Sequence, residues 1–73
     1  MRKPAADTIR ARERARLAFV AGRDGAAEAR DFAQRTKWLY RKALSTPYGK
    51  AYRRELVISR LVFREYLRGG SMP

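Results

Sequence analysis

The sequence predicts an all-α fold: an antiparallel helical hairpin, residues about 26–44 and 47–68, preceded by a shorter N-terminal helix and a flexible basic arm. Three observations lead there. The most apolar stretch, Ala51 to Leu67, repeats at helical spacing. A second apolar arc recurs between Ala26 and Leu44. Each segment is bounded by stop and start residues: Arg23-Asp24-Gly25, Ser45-Thr46-Pro47-Tyr48-Gly49 and Gly69-Gly70.

At about 100° per residue, Ala5 to Ala21 is helical by composition, with Asp7 as candidate N-cap and Gly22 as stop. Its apolar stripe is weak, because Glu13 and Arg16 fall between Ile9 and Val20. Leu17, Phe19 and Val20 gather at its end. The expectation is therefore a division into a basic arm (1–16, partly helical or disordered), a small helical domain (17–68) and a flexible tail (69–73). An isolated helix as short as the arm is marginal in water.

Asp24 is a good N-cap for a helix from Ala26 to Leu44. Ala29, Phe32, Ala33, Thr36, Leu39, Tyr40, Ala43 and Leu44 share one arc of it, and Asp31 and Arg35 stand i,i+4. Pro47 disfavours helical geometry at Thr46, and Thr46-Pro47 is itself a cap and first residue for the next helix. Gly49 in that first turn costs about 1 kcal/mol relative to alanine. In the last helix Tyr52, Leu56, Ser59, Phe63, Tyr66 and Leu67 make one face, while Val57, Ile58 and Leu61 make a second. Arg53, Arg60, Arg64 and Arg68 share the remaining stripe. A helix apolar over more than half its circumference is covered by more than one neighbour.

Eighteen Lys+Arg stand against 7 Asp+Glu, a formal charge of +11 spread evenly along the 73 residues. Such a surface is drawn to something acidic: nucleic acid, an acidic protein face or an anionic membrane. The chain has no cysteine and no histidine. That excludes disulfides, the usual zinc constellations, thiol nucleophiles and a histidine base. Ser45, Ser59 and Ser71 have no base to activate them, so binding without catalysis, cofactor or metal is expected. No run approaches the roughly 18 apolar residues of a membrane span, and a soluble, cytoplasmic monomer is the expectation.

Lys3, Arg10, Arg12, Arg14 and Arg16 are the candidate partner-binding residues, with Ile9 as an apolar contact among them. Their alternation spreads arginine around most of a helix, which suits an acidic groove better than a flat duplex. Trp38 lies off the core arc, beside Arg41 and Lys42, and is either a partner anchor or covered by Leu17 and Phe19. Arg60 and Arg64 complete a candidate secondary surface, the alternative being an ordinary solvated helix face.

The opening Met1-Arg2-Lys3-Pro4-Ala5-Ala6-Asp7-Thr8-Ile9-Arg10, the segment Arg35-Thr36-Lys37-Trp38-Leu39-Tyr40-Arg41-Lys42 and the arginine-rich helical character resemble the small transcription regulators of Xanthomonas bacteriophages. The resemblance spans the whole chain. It implies binding to host bacterial RNA polymerase, at the N-terminal region of the β′ subunit near the RNA exit channel. It further implies inhibited initiation through loss of the σ factor, and suppressed intrinsic termination alongside the elongation factor NusA. Independently of the resemblance, a basic arm on a small helical body can sit at an acidic rim of polymerase and touch exiting RNA at the same time. The alternative from charge alone is a direct DNA- or RNA-binding protein, whose affinity would fall linearly in log salt. A basic helix on a membrane surface is a third reading, disfavoured by the weak amphipathy of residues 5–21.

Overall fold

Four helices are present in a computed structural model that describes residues 4–69: α1 (Ala6–Asp24), α2 (Ala26–Ala43), α3 (Pro47–Ala51) and α4 (Arg53–Leu67). No strand occurs among the described residues, so the domain is all-α. The three long helices each pack against the other two, and α3 bridges α2 and α4. Lys3, and residues 70–73 of the expected tail, lie outside the described residues.

The main departure from expectation is α1. Residues 6–16, expected as a projecting arm, belong to one 19-residue helix docked along the domain. At about 1.5 Å per residue such a helix is close to 28 Å long, and the longest dimension of the molecule is 34 Å. Ile9, Glu13 and Leu17, spaced four apart, form the docked stripe and are all buried. The stripe looks broken in the sequence because its middle member is a carboxylate. Its neighbour Arg16 neutralises that carboxylate, so the row can be buried as a unit. Near the chain start, Arg54 Nη1 donates to the carbonyl of Pro4 at 2.8 Å. Phe19, expected on the docked side, is instead exposed, with the Arg23 guanidinium 5.0 Å from its ring centre.

Gly22 does not stop α1, which runs on to Asp24. The turn is made by Gly25 alone, at φ 98°, which ends α1 and begins α2. Only glycine adopts that conformation readily. Asp24, expected as the cap of α2, is thereby the last residue of α1, paired with Arg23 at 2.7 Å. Asp7 likewise lies in the first turn, with Ala5 at the cap position.

Thr46 behaves as the sequence suggests. Its hydroxyl donates to the Ala43 carbonyl at 2.6 Å and accepts the Gly49 amide at 3.0 Å, with Pro47 at the first helical position. Gly49 has a structural reason. It is buried against the end of α2, where an added Cβ would overlap the backbone of Ala43 and lie 2.6 Å from the Leu44 Cα. The expected helix over 47–68 is interrupted at Tyr52 (φ −114°, ψ 26°), separating five-residue α3 from α4. Arg30 near the start of α2 donates to the Leu67 carbonyl at the end of α4, at 3.1 Å.

The core is built around Phe63. With Leu17, Ala33 and Val62 it forms the buried cluster, and Phe32, Tyr40, Tyr66 and Leu67 pack against it. Phe32 meets the Phe63 ring edge-on at 6.0 Å and Tyr40 lies tilted at 5.9 Å, separations favourable for aromatic pairs. Leu56 and Ser59 extend this face of α4 as expected, whereas Tyr52 and Leu39, placed on core faces by periodicity, are exposed.

Candidate functional site

Docking α1 through Ile9, Glu13 and Leu17 turns the other residues of that helix outward. Arg12 and Arg14 are exposed and have no acidic partner among the described residues. Arg10 is also exposed, but pairs with Asp7 at 2.8 Å. Ile9, expected as an apolar partner contact, instead packs inside the domain at 0% exposure and is not available to a partner.

Arg16 is as much a structural residue as a surface one. Its Nη1 donates to both Glu13 carboxylate oxygens, at 2.8 and 3.1 Å, and to the Tyr40 hydroxyl at 3.1 Å. Burial works against the guanidinium's proton, but the hydrogen bonds to Tyr40 and Glu13 outweigh it, so the Arg16 pKa is raised above the ordinary arginine value. Arg16 also stands 5.3 Å from the centre of the Phe32 ring.

Arg12 and Arg16 open onto a cleft of about 440 Å³ where α1, α2, α3 and the start of α4 meet. Leu39, Tyr48 and Tyr52 line it, with Glu13, Glu55, Leu56 and Ser59 among its other walls. Leu39, Tyr48 and Tyr52 are 60%, 62% and 47% exposed, an unusual concentration of large apolar surface beside two arginines. The Tyr48 and Tyr52 rings lie 4.7 Å apart, tilted by 35°, one turn apart across the break between α3 and α4. Sequence reasoning missed this trio. Tyr48 and Tyr52 at i,i+4 behind Thr46-Pro47 were the available signal, and for Leu39 there was none.

A second groove, about 400 Å³, lies between α2 and α4. It brings together Trp38, Arg41 and Arg60, all candidates from the sequence, and adds Gln34, Arg35 and Lys37. Trp38 is 55% exposed, so Leu17 and Phe19 do not cover it. Arg64 lines a smaller adjoining hollow with Lys37 and Arg60. Lys42 is exposed and lines neither groove.

Among the described residues, no group of three or more histidine, cysteine or acidic side chains is placed to hold a metal, and no helix is long and apolar enough to cross a membrane. No protein-family model, curated protein or solved structure matches the chain.

Proposed function

We propose that the protein is a non-catalytic regulator that docks, through the α1–α3 cleft, on an acidic protein surface carrying an apolar contact. The partner proposed is bacterial RNA polymerase, where docking inhibits initiation and suppresses intrinsic termination. The observation that carries the docking reading is the cleft itself, where Arg12 and Arg16 flank exposed Leu39, Tyr48 and Tyr52. Aromatic and arginine side chains dominate binding hot spots, and a rigid surface loses little freedom on association. Exposed Arg10, Arg12 and Arg14 on the outer face of α1 extend the same positive field and speed encounter with an acidic rim. The choice of polymerase rests on the resemblance to the phage regulators.

The test is retention of polymerase by tagged protein from nuclease-treated bacterial lysate. Core polymerase subunits should stay bound, and Tyr48→Ala together with Arg12→Ala should release them while leaving the helical circular-dichroism signal intact. Loss of the subunits on nuclease treatment would sink the reading in favour of direct nucleic-acid binding.

A further inference from the structure

The groove between α2 and α4 lies apart from the cleft and shares no lining residue with it. Its chemistry is different. One large aromatic, Trp38, is exposed at 55% on a wall otherwise made of Gln34 and four basic residues, Arg35, Lys37, Arg41 and Arg60. Among the described residues the only acid paired to any of these four is Asp31, which holds Arg35 at 2.9 Å. Lys37, Arg41 and Arg60 therefore face the groove without an acidic partner among the described residues. The Arg41 guanidinium lies over the Trp38 ring at 6.0 Å from its centre, the outer limit of a cation–π contact.

Arg60 brings to the groove a cation from α4, whereas the other lining residues belong to α2. Its Nε is buried and has no hydrogen-bond partner. Arg60 lines both this groove and the smaller hollow beside it, where Arg64 adds another cation.

We infer that this groove is a binding site for single-stranded nucleic acid, in which an unpaired base stacks on Trp38 and the flanking phosphates lie against Lys37, Arg41 and Arg60. Every base offers a π face, so an exposed indole is a sequence-tolerant platform, and a cationic wall tracks the backbone on either side. A duplex hides its base faces and cannot use the indole in this way. An acidic peptide would satisfy the charges but leave the ring without a flat partner. The site does not depend on the polymerase reading, which uses other residues.

Trp38 is the only tryptophan in the chain, so its own emission reports stacking. The full-length protein is titrated with a ten-nucleotide single-stranded oligoadenylate, with the same length of duplex, and with polyglutamate. The single strand should quench Trp38 saturably, and the duplex and polyglutamate should not. Fluorescence anisotropy of labelled oligoadenylate should show about tenfold weaker binding for Trp38→Ala, with Trp38→Phe retaining more affinity. Arg41→Ala should weaken binding and reduce its salt dependence. Circular dichroism serves as the check that these exposed-site variants remain folded. Single-strand binding without quenching, or unchanged in Trp38→Ala, would show charge attraction alone and overturn the inference. Equal quenching by polyglutamate would overturn it in favour of an acidic protein ligand. Arg12→Ala and Tyr48→Ala should leave the quenching intact whatever they do to polymerase retention, so the two readings fail separately.

Discussion

The carboxylate of Glu13 is almost wholly buried, and a single nitrogen of Arg16, one turn along the same helix, reaches both of its oxygens. A lone buried carboxylate would oppose docking of α1; paired in this way it becomes part of the docked stripe. Removing Arg16 strands the charge, whereas removing the charge does not strand Arg16, whose side chain is 42% exposed to water. Arg16→Ala should therefore destabilise the fold by roughly 2 kcal/mol, below the full cost of breaking a buried pair because water reaches the site. Glu13→Gln should cost less, and the double variant should recover most of the loss of Arg16→Ala. Urea denaturation of the four proteins decides it; additive losses would mean the pair is not coupled. The raised pKa of Arg16 places its pH dependence at the alkaline extreme. Its contribution is complete below the unfolded arginine value and is lost only as pH rises through the still higher folded value.

Ile9 separates a docked helix from a mobile arm. In a docked α1, Ile9→Ala removes a fully buried side chain and should cost about 2–4 kcal/mol. Arg10→Ala, Arg12→Ala and Arg14→Ala combined should change stability by well under that while reducing partner binding. Thermal melts of the two variants give the contrast; an Ile9→Ala protein as stable as the parent would restore the arm.

Two glycines should respond in opposite directions. At Gly22, inside α1, an added methyl meets nothing within 4 Å, so Gly22→Ala should stabilise by about 0.5–1 kcal/mol. At Gly49 the methyl would overlap the Ala43 carbonyl, a backbone group that cannot rotate aside. Gly49→Ala should cost about 3 kcal/mol or displace α3 from the end of α2. Denaturant midpoints measure both.

Phe63 joins the helices, so Phe63→Ala should cost about 3–5 kcal/mol. A domain this small holds only a few kcal/mol in reserve. The variant should be largely unfolded at room temperature by near-UV circular dichroism, while Phe63→Leu should remain folded.

The helical class, the second helix and the Thr46-Pro47 start were legible because each rests on local rules: periodicity, capping and the geometry of proline. What escaped rests on tertiary context. Glu13 reads as polar until Arg16 is seen bridging it to Tyr40. Gly22 reads as a stop, but α1 continues through it because its flanks are held by packing at Leu17 and by the turn at Gly25. Tyr52 and Leu39 have core spacing, yet the interruption after Ala51 leaves both on the cleft rather than under it. The candidate site was therefore half visible. Its arginines follow from composition and Trp38 from its angle on α2, whereas the tyrosine pair depends on a break that periodicity alone does not reveal.

The position of Phe63 and Val62 in α4, the last of the four helices, has a consequence for how the chain comes off the ribosome. During synthesis α1 and α2 emerge before α4, joined by one residue, with Leu17 and Ala33 still lacking their neighbours Val62 and Phe63. They are free to form fleeting helices but hold no completed interior. Only when the segment through Phe63 clears the exit tunnel can all three long helices close at once, so the nascent chain passes from uncommitted to folded in a single late event, and its strong positive charge keeps neighbouring chains apart until then.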